Sequence, residues 1–118
     1  MSQRRPQAPD RGDFVWIDLS PRQGHEQAGR RPALVLSPKS YNRKTGLAII
    51  CPATRQAKGY AFEVEQVMPD GSPSIILADH IRCVDWRTRN IEFIHRVSSD
   101  VVDEVVARIE ALVITPDI

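Results

Sequence analysis

LAIICPATRQAKGYAFEVEQVMPDGSPSIILAD, residues 47–79, contains three apolar runs separated by polar breaks. LAIICPA (47–53) and SIILAD (74–79) are short and nearly continuous, whereas YAFEVEQV (60–67) alternates apolar with polar side chains. Runs of this length and composition read as strands, and PDGSP (69–73) is the turn signal between the last two. The same reading extends in both directions. FVWIDL (14–19) and ALVLSP (33–38) precede the segment, and IRCVDW (81–86) and IEFIHRV (91–97) follow it, with a tight reversal expected at Asp79 and His80. Short strands punctuated by Gly and Pro favour a small, strongly bent antiparallel barrel over a βαβ pattern.

The period then changes. Ser98 or Ser99 can cap a helix whose first turns carry Asp100, Asp103 and Glu104, where the helix dipole favours anions. Val101, Val102, Val105, Ile109, Leu112 and Val113 recur at helical spacing for about four turns, and Pro116 ends the run. The stripe should pack on the barrel, because a polar face this acidic does not suit a membrane surface. Residues 1–11 read as a flexible lead-in, and 12–118 as a single domain; no internal repeat or low-complexity segment interrupts them. The expected fold is therefore mainly β, a barrel with a C-terminal α-helix.

A chain of 118 residues, 42% hydrophobic and 26% charged, has the composition of an ordinary globular domain. No apolar run approaches the roughly 20 residues that span a bilayer. The N-terminus MSQRRPQAPDR lacks the apolar core of an export signal, so a cytoplasmic location is expected. Cys51 and Cys83 both lie in apolar runs outside any CxxC pair, and both read as buried thiols in a reducing compartment. The net charge of +1 hides an asymmetry: residues 1–59 hold eleven Lys or Arg against four Asp or Glu, and residues 60–118 hold five against eleven. A polyanion-binding face in the first half, an acidic helix balanced by basic loops, and charges merely scattered over a solvated surface all fit that count.

Several chemistries have no signature. His25, His80 and His95 are far apart with no Cys or carboxylate at metal-site spacing, so no metal or other cofactor is expected. No phosphate-cradling Gly-rich loop and no GxSxG elbow occurs. Two polar clusters at strand ends remain. GHEQAGRRPALVLSP (24–38) puts Glu26, Arg30 and Arg31 together, a combination that turn geometry does not require. CPATRQAKGYAFEVE (51–65) gathers Thr54, Arg55, Gln56 and Lys58 where an apolar strand ends. Were the barrel to join them, Arg31, Thr54 and Lys58 would surround a phosphate and Glu26 would be the only nearby carboxylate. Such a site suits metal-independent transesterification of RNA, which needs charge stabilisation on the phosphorane and two proton transfers. Glu26 and Arg31 could equally form an exposed ion pair that contributes little.

GDFVWIDLSPRQGHEQAGRRPALVLSPKSYNRKTG, CPATRQAKGYAFEV and ILADHIRCVDWRTR resemble the MazF/PemK family of toxin endoribonucleases, from Gly12 to the final helix. The element G-x-E-Q-x-G-x-R-P, here Gly24, Glu26, Gln27, Gly29, Arg31 and Pro32, is the most specific part of the likeness. The resemblance implies an SH3-like, CcdB/MazF-type barrel, a homodimer, sequence-specific cleavage of single-stranded RNA leaving 2′,3′-cyclic phosphate and 5′-hydroxyl ends, and a MazE-like antitoxin. It places the catalytic Arg on Arg31, the catalytic Thr on Thr54 and the acidic loop residue on Glu26. Contacts to RNA are then expected from Asp18, Gln27, Arg30, Asn42, Lys44, Gln56, Lys58, Asp79, His80 and Arg82. Arg30 and His80 depart from the family pattern, which bears on base preference.

A guanidinium stays protonated far above neutral pH and is a poor base, so Arg31 reads as the clamp on the phosphorane and Glu26 as the acceptor of the 2′-hydroxyl proton. Trp16 and Trp86 lie within strand patterns and read as packing residues, with base stacking as the alternative. The basic segment SPKSYNRKTG (37–46) reads as a flap over the groove. An acidic, extended antitoxin segment would compete with RNA for that groove. A gyrase-directed CcdB-like toxin or a non-catalytic binding barrel is the competing reading, since one fold serves several functions; a gyrase-directed relative does not need the pairing of Arg31 with Thr54.

Overall fold

The structure, a computed structural model, describes residues 7–19 and 29–114. Strands β1 (Asp13–Asp18), β2 (Arg30–Val35), β3 (Leu47–Thr54), β4 (Glu63–Val67), β5 (Pro73–Leu77), β6 (Arg82–Asp85) and β7 (Glu92–Arg96) fall on the seven expected runs. Helix α1 (Lys39–Thr45) separates β2 from β3, and α2 (Ser99–Val113) closes the order. All pairing is antiparallel, in the order β4-β5-β3-β2-β1-β7, with β6 joining the outer edge of β3 next to β5. A bulge at Phe14 and Val15 shifts the β1–β7 register, and such an extra residue bends its strand. The outermost strands approach each other through Gln66 Nε2, 2.9 Å from His95 Nε2. The result is a curled antiparallel half-barrel with a C-terminal helix, in agreement with the expected fold.

The sheet is apolar on both faces. Phe14, Leu34, Cys51, Ala53, Val64 and Ile76 face α2, where Val105 is fully buried and Val101, Val102 and Ile109 pack beside it. Val15, Ile17, Ala33, Val35, Ala48, Ile50, Val84 and Trp86 form a second core on the opposite side. Strands covered on both faces lose the alternation of a half-exposed strand, which is why ALVL and LAIIC are continuous runs. Leu112, Val113 and Ile114, at the end of α2, are exposed. Ser98 occupies the N-cap of α2 without a side-chain bond to the helix. No helix among the described residues is long and apolar enough to cross a membrane.

Three expectations are corrected here. Segment 37–46 is not a flap but a helix anchored from beneath. Asn42 is fully buried; its Nδ2 donates to Pro9 O at 2.8 Å and Ser37 O at 2.9 Å, and its Oδ1 accepts from Ser37 Oγ at 2.5 Å. The Asn42 carbonyl accepts from Trp86 Nε1 at 2.8 Å and from the Gly46 N–H at 3.0 Å. Every polar atom of the Asn42 side chain is thus consumed inside the protein, so Asn42 is an architectural residue and not an RNA contact. Gly46 ends α1 at φ 76, and a Cβ there would lie 2.8 Å from an Arg87 guanidinium nitrogen. Residues 7–11 of the expected lead-in are tied down as well: Pro9 is buried, and Asp10 Oδ1 accepts the Lys39 N–H at 2.9 Å, capping α1 across the chain. That bond, with Arg11 N–H and the charges of Arg96 and Lys39 adding to it, holds the Asp10 carboxyl below its ordinary value against the opposing effect of partial burial. Residues 1–6 of the lead-in, and Pro116, lie outside the described residues.

The cysteines divide. Cys51 is fully buried, and desolvation, with Asp79 adding a smaller effect, pushes its thiol up to about 12. Cys83 is exposed, and both thiols are free. Period-two alternation in β6 buries Val84 and turns Cys83 outward with Asp85.

Candidate active site

The β2–β3 ladder determines where the polar strand ends meet. Facing pairs run Val35–Ile50, Leu34–Cys51 and Ala33–Pro52, so the same register continued places Pro32 opposite Ala53 and Arg31 opposite Thr54. Leu36 N–H donates to Ile49 O at 2.8 Å, which makes every second pair from there, including Pro32–Ala53, a hydrogen-bonded position. Proline has no N–H to give, so the ladder loses a bond at that point and the two strands end there as partners. Arg31 and Thr54 are the next facing residues, and period two puts them on one face of the sheet, in line with Ile17 of β1 and Ile75 of β5.

Both residues, each half-buried, border a groove of about 630 Å³. Its lining comprises Trp16 from β1, Gly29 and Arg30, Arg31 and Pro32 at the start of β2, Ala53 and Thr54 at the end of β3 with Arg55 and Gln56 just beyond it, and Met68, Asp70 and Ser72 of the β4–β5 turn with Pro73 and Ser74 of β5. Three guanidinium groups and one carboxylate among these residues make the groove cationic. Thr54 Oγ1 accepts the Gln56 N–H at 3.4 Å.

The expected site residues separate into groups. Arg31, Thr54, Arg30 and Gln56 are brought together in the groove. The Arg30 guanidinium is nonetheless occupied: it bonds Asp18 Oδ1 at 3.2 Å, Asn90 O at 2.7 Å and Glu92 Oε1 at 3.1 Å. Asp18 therefore serves Arg30, and the pair braces the β1–β2–β7 end of the sheet beside the groove. Lys58 lies in the loop beyond Gln56, where its N–H donates to Glu63 Oε2 at 2.9 Å. Asp79 and His80 belong to a 3₁₀ turn, with His80 Nε2 4.0 Å from Asp79 Oδ1, and Arg82, on β6, faces Ile50; with Lys44 on α1, none of these lines the groove. Glu26 and Gln27 lie outside the described residues. Among the described residues, no group of three or more His, Cys, Asp or Glu side chains is placed to hold a metal ion.

Two groove residues were not among the expected site residues. Trp16, read as a packing residue with base stacking as the alternative, is half-buried and borders the groove, whereas Trp86 is buried as its packing reading expected. Asp70 corrects the view that Glu26 would be the only carboxylate nearby. The Ser72 hydroxyl and N–H, at 2.6 and 2.9 Å, together with the charge of Arg55, hold the Asp70 carboxyl below its ordinary value. The PDGSP turn was legible, but the β3–β5 pairing that carries it to the end of β3 was not.

Comparison with known proteins places the chain among its relatives. The family described as PemK-like, MazF-like toxin of type II toxin-antitoxin system matches residues 10–113. The endoribonuclease toxin MazF of Escherichia coli K12 is 41% identical over 105 residues, spanning 89% of this chain and 94% of that protein. The endoribonuclease EndoA of Bacillus subtilis is 33% identical over 108 residues, spanning 80% and 85%. The crystal structure of MazF from Deinococcus radiodurans superposes with a TM-score of 0.84 at 48% identity, covering 89% of this chain and 96% of that one. MazF in a MazE–MazF structure from the same organism superposes with a TM-score of 0.78 at 42% identity, covering 92% and 98%. Both of these curated relatives are named endoribonucleases, which favours the nuclease reading over the gyrase-directed one. The chain belongs to the PemK/MazF toxin family of type II toxin-antitoxin systems.

Proposed function

We propose that the groove cleaves single-stranded RNA without a metal ion, at a short sequence, by attack of a 2′-hydroxyl on the adjacent phosphate. The juxtaposition of Arg31 and Thr54 where the β2–β3 ladder ends is the observation that carries this reading. The attacking 2′-oxygen gives up its proton, a P–O bond forms as the P–O5′ bond breaks, and the leaving O5′ takes a proton. The products are a 2′,3′-cyclic phosphate and a 5′-hydroxyl. Arg31, always charged, holds the phosphorane oxygens, and Thr54 donates a second hydrogen bond to them. Glu26, in the segment that leads into β2, is the group we assign to accept the 2′-hydroxyl proton, with Gln27 and Gln56 contacting the RNA.

Asp18 and Arg30 act in this scheme as the brace of the groove wall. Lys44, Lys58, Asp79, His80 and Arg82 stay candidates for RNA lying beyond the groove of one chain. We further propose a homodimer, for which the exposed apolar end of α2 offers surface, and a MazE-like antitoxin whose acidic segment competes for the cationic groove. The cytoplasm, where messenger RNA is found, is the compartment this activity requires. The test is incubation of the purified protein with a long RNA in excess EDTA. Discrete fragments bearing 5′-hydroxyl ends are expected, and intact RNA at high protein concentration would refute the reading.

A further inference from the structure

The groove has one anionic wall residue among its described lining, and the assigned chemistry does not use it. Asp70 sits in the β4–β5 hairpin, where Gly71 N–H donates to Met68 O at 2.8 Å and Met68 N–H to Ser72 O at 3.0 Å. Gly71 adopts φ 87, the left-handed residue that lets such a short hairpin close. The carboxylate is thus presented from a hydrogen-bonded turn. Both bonds from Ser72 fall on Oδ1. Oδ2 takes neither of them, beside a groove whose other charged lining residues are Arg30, Arg31 and Arg55.

A phosphate is repelled by a carboxylate, so RNA lying in this groove must turn a base edge toward the hairpin and its phosphate toward Arg31. An ionised carboxylate only accepts hydrogen bonds. It therefore suits the exocyclic amine of cytosine, adenine or guanine, as acidic side chains do when they read cytosine N4. Uracil has no amine, and its N3–H lies between two carbonyl oxygens that would face the same negative charge. We propose that Asp70 is a specificity-determining residue that accepts a hydrogen bond from an amine-bearing base next to the scissile phosphate and rejects uracil there. The proposal rests on the RNA-cleaving reading above.

The test compares cleavage-site profiles of the wild-type protein and Asp70→Asn on one long RNA of mixed sequence. Asn keeps a side-chain oxygen for the Ser72 N–H, so the turn is retained, and its amide can also donate to the uracil carbonyl. The expected result is that uracil becomes accepted at one position of the motif, its cutting relative to the amine-bearing bases rising about tenfold or more, with the other positions unchanged. Asp70→Ser, which also removes the charge, is read in the same way and should relax that position too. An unchanged motif in both variants would overturn the proposal, even if removal of the charge accelerates cutting at every site equally. Folded variants that cut nowhere would overturn it as well, by placing Asp70 in the chemistry. No cutting by the wild-type protein would instead defeat the functional reading itself.

Discussion

The two ends of the β2–β3 ladder carry the same kinds of residue and use them in opposite ways. Past Leu36–Ile49, Ser37 and Asn42 turn inward and are almost fully buried, and each polar side-chain atom has a partner within the chain. Past Ala33–Pro52, Arg31 and Thr54 are half-exposed at the rim of a groove. The closed end uses polar atoms to join α1, the N-terminal segment and Trp86 into one body. At the open end the β2–β3 pairing stops where Pro32 has no N–H to offer, and Arg31 and Thr54 stand at the rim of the groove.

Substitutions at the two ends should therefore fail differently. The largest effect is expected from Arg31→Ala: RNA cleavage should fall by about 10² to 10³, the usual loss for a donor aimed at developing oxyanion charge. Its thermal unfolding midpoint should stay close to that of the parent. Near-normal cutting by this variant would remove Arg31 from the catalytic set.

Asn42→Ala should behave in the converse way. It strands the buried Pro9 and Ser37 carbonyls and the Ser37 hydroxyl, each unsatisfied group costing about 1–3 kcal/mol. Partial relaxation leaves a loss of roughly 2–4 kcal/mol, which lowers the midpoint by about 10 °C. Catalysis by the protein still folded should persist. An unfolding curve unchanged by the substitution would show that the closed end is not the anchor described here.

The smallest effect sharpens the comparison on β3 itself. Cys51, between the two ends and shielded by burial, should resist alkylation in the native protein at pH 8, and Cys83 should react. Peptide mass mapping after brief iodoacetamide treatment reads the ratio, and equal labelling of both would contradict a closed core beneath β3.

The fold was largely legible in the sequence because it follows from local pattern. Seven short apolar runs and one helical stripe mark the elements, and the continuity of ALVL and LAIIC reflects cover on both faces of the sheet. What escaped depends on where polar side chains end up once the chain has folded. Asn42, in a stretch as polar as SPKSYNRKTG, gives no local hint that a carbonyl of Pro9 will reach it from 33 positions away. Cys83 was misjudged because an apolar neighbourhood was weighed above the alternation that pairs it with Asp85. Asp70 was overlooked because the sequence marks a hairpin but not the sheet edge it joins. Arg31 and Thr54 were singled out by the polar clusters at two strand ends and given catalytic roles by the family resemblance; the register then gives the physical reason that they face each other.

RNA that occupies the open end should leave the closed end untouched. Amide hydrogen exchange with and without an RNA carrying a 2′-deoxy nucleotide at the cleavage position tests it most directly. Added protection is expected over residues 29–32, 53–56 and 68–74 on RNA binding, with residues 37–46 exchanging at the same rate in both states. Protection concentrated in residues 37–46, with the groove segments unchanged, would contradict it.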